Sequence, residues 1–418
     1  MPENLNYQNA VILAPMVRIG TLPFRLLALN YGADIVYSEE IVDHKLLKCR
    51  RVVNNELDTI DFIDDTEDVV VFRTCSEEKN QVVLQLGTSE AQRALKAVKL
   101  VEQDVSGIDI NMGCPKEFSL KGGMGAALLY QPEKVKEILS TLVGNVSIPV
   151  TCKIRVLPEL EDTINLCKLI ESTGVAAIAV HGRTKDERPR HSNRNEYIRA
   201  ITQSLSIPVI ANGGSKEIVE YDDIEKFRKV TGSTSVMIAR TAQWNCSIFR
   251  KEGKLPLDEV IKSLLKYAID YDNHPLNTKY GVQQMLQDLQ ETPLGRKLLS
   301  AKTLHQICEL WQLEDYYLKK QNNAGFVRKK NVNVRIDVNN DENDVKRFKK
   351  ENFWEVDVKF ERHSYKVEEL PKTTLLMWTR QKEMSQPKYE TIHKDKLFKS
   401  MVHVDGIVYT TVNGEKNK

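Results

Sequence analysis

Cys114 stands in Asn111-Met112-Gly113-Cys114-Pro115-Lys116, and Lys121-Gly122-Gly123-Met124-Gly125 follows a few residues on. Glycine beside a cysteine lets the backbone approach a planar ligand, and Pro115 stiffens the loop that presents the thiol. Such a thiol serves as a nucleophile, as a proton donor or as a buried packing group. A nucleophile needs a neighbouring base to become thiolate. A proton donor has to stay a thiol, near its ordinary pKa of about 8.5. Lys116 is the nearest base in the sequence, and the residues alone leave these roles open.

Two more groups are chemically suggestive. Asn212-Gly213-Gly214 and Ala239-Arg240 end two successive strand-like runs. Glycine amides approach a phosphate closely and an Arg clamps it with two parallel bonds, so the pair fits a phosphorylated cofactor better than a bare Asn-Gly-Gly turn would. Gln85, Lys153 and His181 each lie at the end of another run. Gln offers a donor and an acceptor to a heterocycle edge, and Lys sets positive charge against an anionic ring, as a reduced flavin requires. The plain alternatives are a rim ion pair for Lys153 and a hydrogen-bonded rim histidine for His181.

Positioning these groups requires regular elements. Eight apolar runs, at 10–17, 34–39, 82–87, 107–112, 149–155, 177–183, 207–213 and 235–240, alternate with segments of helical period such as 89–103, 132–142, 160–173, 196–205 and 222–230. Near-continuous apolar strands alternating with amphipathic helices predict a parallel sheet covered on both faces. Eight such units in about 230 residues match an α/β TIM barrel, typically about 250 residues. A doubly wound open sheet is the competitor. It would carry polar residues only on strands beside its switch point, whereas here nearly every run ends in them: Glu39-Glu40, Gln85, Asn111 to Cys114, Lys153 to Arg155, His181 to Arg183 and Arg240.

We therefore expect a barrel domain over residues 1–252 and a helical domain over 253–320, with apolar stripes at 260–271, 280–290 and 300–311. A polar linker over 321–350 and an α+β module over 351–418 follow. The chain has 418 residues, 41% of them hydrophobic and 28% charged, with 20 Gly and 14 Pro, which excludes collagenous, disulfide-scaffold and wholly disordered classes. The seven Cys are scattered with no CxxC pair, as expected of reduced thiols. No apolar run approaches the ~18 residues of a membrane span, and the first residues lack a secretory pattern. The expected compartment is therefore the cytoplasm, with the nucleus second, and the expected state is a monomer. Residues 321–418 hold 20 Lys and Arg against 15 Asp and Glu, a charge of +5, and residues 1–320 hold 40 against 43, or −3. The positive charge rides on the tail, which suggests an anionic partner there.

Taken together, Ala14-Pro15-Met16, the Asn-Met-Gly-Cys-Pro run with Gly-Gly-Met-Gly behind it, Lys153-Ile154-Arg155, Val180 to Thr184 and Ala211 to Gly214 resemble the tRNA-dihydrouridine synthases over residues 10–315. Ala14 to Arg18, Phe72 to Cys75 and the appended module are similar to the eukaryotic type that modifies position 20 of the D-loop. The resemblance implies FMN as cofactor, NADPH as reductant and uridine in tRNA as substrate. It puts Pro15, Met16 and Val17 against the isoalloxazine and Gln85 and Lys153 on its polar edge, with His181 on the same wall. It also puts Asn212, Gly213, Gly214, Ala239 and Arg240 around the phosphate. Cys114 matches the general acid, and Arg155 becomes a candidate for the substrate side.

The C-terminal module resembles a double-stranded RNA-binding domain, with Pro371 to Arg380 as its first helix and Gln386 to Glu390 as its first strand. That family's second helix would begin at Gly414 to Lys418, so the module is expected to lack it. Arg362, Lys366, Lys372 and Lys394 are its candidate RNA contacts, together with Lys346, Arg347, Lys349 and Lys350. Two other functions stay open: an FMN oxidoreductase acting on a small molecule, and an RNA-binding or interaction protein without catalysis.

Overall fold

A strand wetted on neither face needs no polar alternation, and Val82–Gly87 is buried along its whole length. The computed structural model describes residues 5–323, 349–350, 353–356, 371–382, 384–394, 397–404 and 407–411. In chain order these include β1 (Val11–Leu13), α1 (Leu22–Asn30), β2 (Ile35–Val42), α2 (Asp43–Leu46), β3 (Cys49–Asn54), β4 (Thr59–Asp64), β5 (Val70–Cys75) and β6 (Val82–Gly87). There follow α3 (Ala91–Val101), β7 (Gly107–Met112), α4 (Glu117–Lys121), α5 (Pro132–Asn145), β8 (Val150–Arg155), α6 (Leu160–Ser172), β9 (Ala177–His181) and α7 (Asn195–Ser204). Next come β10 (Val209–Asn212), α8 (Asp222–Thr231), β11 (Ser235–Ile238), α9 (Arg240–Trp244), α10 (Leu257–Asp270), α11 (Pro275–Leu286), α12 (Pro293–Ser300), α13 (Leu304–Leu310) and α14 (Glu314–Asn323).

Eight parallel strands close a barrel in the order β1-β11-β10-β9-β8-β7-β6-β2, as the eight apolar runs predict. Several strands are shorter than their apolar runs, for local reasons. β1 stops at Leu13 because Pro15 has no N–H for the ladder, and the chain turns through Arg18 at φ +66°. β10 begins only after Pro208, and Arg240 already opens α9. The expected helix over 300–311 is broken at Thr303, whose hydroxyl accepts from the Gln306 N–H while the Gln306 side chain returns the bond, a capping box that starts α13 afresh.

Side chains alternate along each strand, so one set from every strand points into the barrel. At the lower levels that set is apolar, with Ile12, Ala14, Tyr37, Val83, Ala177, Ala179, Ile210 and Met237 in one cluster. Nearer the C-terminal ends it turns polar: Gln85 pairs across to Asp109, Asn111 to Lys153, Arg155 to His181, and His181 to Asn212. A larger apolar cluster fills the space between the barrel and its helices and runs on into α10–α14.

An element that periodicity does not reveal lies between β2 and β6. β3, β4 and β5 form an antiparallel sheet around the ring pair Phe62 and Phe72, whose centroids are 5.8 Å apart and whose planes are tilted by 35°. Its strands mix Arg, Asp and Asn with apolar residues, so the stretch reads as loop until tertiary contacts bury one face.

The chain divides into two compact units, Met1–Arg328 and Lys329–Lys418. In the second, β12 (Lys349–Lys350), β13 (Phe353–Val356), α15 (Pro371–Gln381), β14 (Lys388–Lys394), β15 (Leu397–Val404) and β16 (Ile407–Thr411) build a sheet of order β12-β13-β16-β15-β14. The helix and first strand that the sequence suggests here are α15 and β14; β14, β15 and β16 pair antiparallel in turn, and β13 joins parallel to β16. Residues 324–348, most of the expected linker, and 412–418 lie outside the described residues.

Candidate active site

Cys114 is set by a chain of side-chain bonds that begins inside the barrel. Asp109 is fully buried; its carboxylate accepts from Gln85 Nε2 at 2.7 Å and from Thr151 Oγ1 at 2.8 Å. Burial pushes Asp109 up to about 6, against the lowering effect of those bonds and of Lys153. Gln85, so oriented, turns its Oε1 to Asn111 Nδ2 at 2.9 Å. Asn111 in turn accepts the N–H groups of Gly113 at 3.0 Å and Cys114 at 2.9 Å on its Oδ1. Arg155 braces the same loop from the other side, Nε donating to the Gly113 carbonyl at 2.7 Å and Nη1 to the Thr184 carbonyl at 3.0 Å. Gly125, at φ +57°, permits the close turn behind the cysteine, since a Cβ there would sit 2.6 Å from the Cys114 carbonyl. Of the seven cysteines, Cys114 alone is partly exposed. Burial first, then the Glu40 carboxylate, push its thiol pKa upward.

The mouth beside this loop is cationic. Lys153 is held down to about 8, by burial and then by Arg155, and Arg155 down to about 10, by burial and then by Arg183. Arg240 is lowered by burial and Arg183. His181 lies well below its ordinary value, through burial and then Lys153 and Arg155, and is therefore neutral. Among the described residues none of Lys153, Arg155, Arg183 and Arg240 makes an ion pair with a carboxylate. Cations that lower one another's proton affinity and hold no carboxylate in ion-pair contact fit an anionic ligand. The adjoining cavity is lined by Met16, His181, Arg183, Asn212, Gly213, Gly214, Ala239 and Arg240, among others. Gly213, at φ +113°, has no room for a Cβ: one would fall 2.8 Å from the His181 ring and against Asn193 Oδ1, a buried acceptor without a hydrogen-bond partner. Arg183 Nη1 donates to the Gly213 carbonyl at 2.8 Å and lies 3.2 Å from His181 Nε2. The result is a glycine cradle walled by guanidinium groups.

Residues 12–343 match the family model described as Dihydrouridine synthase (Dus). The chain belongs to this family. It is 40% identical over 324 residues to the tRNA-dihydrouridine(20) synthase (NAD(P)+) of Schizosaccharomyces pombe, an alignment spanning 74% of this chain and 66% of that protein. With the protein of the same description from Saccharomyces cerevisiae it shares 36% identity over 300 residues, 68% of this chain and 78% of that one. A solved tRNA-dihydrouridine(20) synthase dsRBD domain is 39% identical over 15% of this chain and 68% of its own, with a TM-score of 0.14.

Of the residues expected at the site of this dihydrouridine synthase, Met16, His181, Asn212, Gly213, Gly214, Ala239 and Arg240 line one cavity. Lys153 adjoins it through His181. Pro15 and Val17 sit on the β1 turn beside Met16, Val17 being 45% exposed. Two expectations change in detail. Asn212 Nδ2 donates to the Met237 carbonyl at 2.8 Å, so its side chain ties β10 to β11. Gln85 is 1% exposed and both ends of its amide serve the Asp109–Asn111 chain. Asp109 and Asn193 escape sequence reasoning, Asp109 because it interrupts an apolar run without ending it; Arg183 is visible only as a polar strand end. Arg362, Lys366, Lys346 and Arg347 lie outside the described residues, while Lys372 is in α15, Lys394 in β14 and Lys349-Lys350 form β12.

Proposed function

We propose that this dihydrouridine synthase reduces a uridine of tRNA, at position 20 of the D-loop, to 5,6-dihydrouridine, with FMN in the barrel mouth and NADPH as reductant. The observation that carries the reading is the pairing, on one rim, of a partly exposed thiol whose pKa burial raises with a cationic cradle that holds no ion-paired carboxylate among the described residues. Active sites of such barrels lie at the C-terminal face, and phosphate sites form after the seventh and eighth strands, here β10 and β11. The names of the yeast relatives supply the substrate and the position.

FMN, when bound, would supply hydride to C6 of the uracil ring. Gly213, Gly214, Arg183 and Arg240 would hold its phosphate, and Lys153 with neutral His181 would face the ring system. Cys114 keeps its proton because burial disfavours thiolate, so it delivers that proton to C5. A base stacked in folded tRNA has to turn outward to reach the thiol, at a cost of a few kcal/mol. Cations on phosphates offset that cost. Lys153, Arg183 and Arg240 serve the cofactor and residues 1–320 carry a net −3, so exposed Arg188 and the +5 of residues 321–418 are the cations available to RNA phosphates. The deciding experiment is position-resolved dihydrouridine mapping in RNA from cells lacking the protein, with and without its re-expression; loss and recovery at position 20 are expected, and an unchanged map overturns the reading.

FMN affinity should depend on pH with a definite sign. Lys153 binds an anion only when protonated, and without ligand it loses its proton above about 8. Binding at higher pH must therefore take up a proton, and affinity falls by up to about tenfold per unit above that value. Fluorescence titration of flavin-free protein measures this; Lys153→Met should bind more weakly and lose the dependence.

Deleting residues 322–418 should weaken tRNA binding by roughly tenfold or more and flatten its salt dependence by about one unit of log–log slope for each phosphate that the shortened chain no longer neutralises. Bound FMN should remain. Equal affinity of the two chains across a salt titration would remove the tail from RNA binding.

A further inference from the structure

Glu40 is the acidic strand end that the proposed chemistry leaves unused. Neighbouring Glu39 is engaged, its Oε2 accepting the Arg18 N–H at 2.6 Å. Glu40 pairs in register with Gln85, just past an irregularity in the β2–β6 ladder that turns this end of β2. Its Oε1 is buried and has no hydrogen-bond partner. Gly87 makes the room: a Cβ there would sit 2.8 Å from that oxygen. The carboxyl faces the Cys114 thiol, with Lys116 as the nearby cation. Ser119 Oγ, also buried, flanks the same thiol and interacts with it; it and Cys114 Cβ both lie within 3.0 Å of the point a Gly125 Cβ would occupy. Beyond these, Lys153 and Arg155 are the charged groups that feel Cys114.

A buried carboxyl oxygen without a partner is costly unless it serves some purpose. We propose that Glu40 returns a proton to Cys114 after each reduction, which rests on the reading of Cys114 as proton donor. The S–H bond of Cys114 breaks as the C5–H bond of the substrate forms, leaving thiolate. The O–H bond of Glu40 then breaks as S–H re-forms, and the Glu40 carboxylate, stabilised by Lys116, takes its next proton from water. No oxidant or reductant enters this cycle. Burial raises the Glu40 pKa, against the lowering effect of Cys114 and Lys116, which makes its carboxyl a readier proton carrier than an exposed one. In this role Glu40 acts through Cys114.

The test uses the full-length, FMN-loaded protein with Glu40→Gln. Enzyme reduced beforehand and in excess over tRNA should still form its first dihydrouridine at near the normal rate, because Cys114 starts protonated. Repeated turnover should slow about tenfold or more. The pH midpoint for iodoacetamide labelling of Cys114 should fall by about one unit, since a neighbouring negative charge is gone; the other six cysteines are buried and label slowly. Gly87→Ala, which displaces the carboxyl without removing its charge, should likewise slow repeated turnover more than the first. Equal slowing of first and later turnovers, or an unmoved labelling midpoint, overturns the relay. If Cys114→Ala makes dihydrouridine normally, the underlying reading fails instead, and the labelling curves still report whether Glu40 and Cys114 are coupled.

Discussion

Cys114→Ala is expected to keep its FMN, to accept hydride from NADPH normally, and to form dihydrouridine about 10²–10⁴-fold more slowly, the range for loss of a positioned general acid. Flavin retention follows because the loop is held by bonds that do not involve the thiol. Asn111 Oδ1 accepts the backbone N–H groups of residues 113 and 114, and Arg155 Nε donates to the Gly113 carbonyl. The glycine cradle follows β10 and Arg240 follows β11, neither of them the strand β7 that leads into the Cys114 loop. Only the proton is lost. Single-turnover reduction of tRNA by enzyme reduced beforehand isolates that step, and Cys114→Ser, a far weaker acid of similar size, should fall close to the alanine variant. A fully active alanine variant would remove the thiol from the chemistry.

The second large effect lies away from the site. Arg25 and Glu78 are 1% and 0% exposed and meet in a two-pronged bond, Nε to Oε2 at 2.7 Å and Nη2 to Oε1 at 2.5 Å. Arg25 also donates to the carbonyls of Gly20 at 2.6 Å and Arg73 at 2.7 Å, and its guanidinium lies 5.2 Å from the Phe72 ring centroid. Thr74 Oγ1 donates to Glu78 at 2.8 Å. This pair fastens α1 to the β3–β5 sheet. Arg25→Met is expected to cost about 3–5 kcal/mol, because it strands a buried carboxylate and two carbonyls. In a thermal melt the barrel unit should unfold on the order of 10 °C lower. Adding Glu78→Gln removes the stranded charge and should recover a large part of the loss. A single variant within about 1 kcal/mol of the parent protein by urea unfolding would show that the pair contributes little.

Much of the fold is legible in the sequence because burial on both faces writes an unbroken apolar run into each barrel strand, and that pattern depends only on near neighbours. The eight runs, the helices between them and the polar strand ends follow from it. So does the glycine and proline setting of Cys114, since backbone freedom and stiffness are properties of single residues. The broken helix at Thr303 and the early end of β1 at Pro15 are local too, and the same rules account for them once capping is weighed against periodicity.

Other features arise only when the chain closes. Arg25 and Glu78 are 53 residues apart, and nothing in either neighbourhood marks the other as its partner. The β3–β5 sheet is a polar-looking stretch until Phe62 and Phe72 meet. Asp109 reads as an interruption in an apolar run, yet in the barrel it orients Gln85 and, through Asn111, the Cys114 loop. Residues 1–320 are slightly acidic in total, but closure gathers Lys153, Arg155, Arg183 and Arg240 at one mouth, where among the described residues none of them is ion-paired to a carboxylate. The physical reason is common to all of these. Local patterns record whether a residue is buried; hydrogen-bond partners and shifted proton affinities depend on which groups distant segments bring within a few ångströms of one another and withdraw from water.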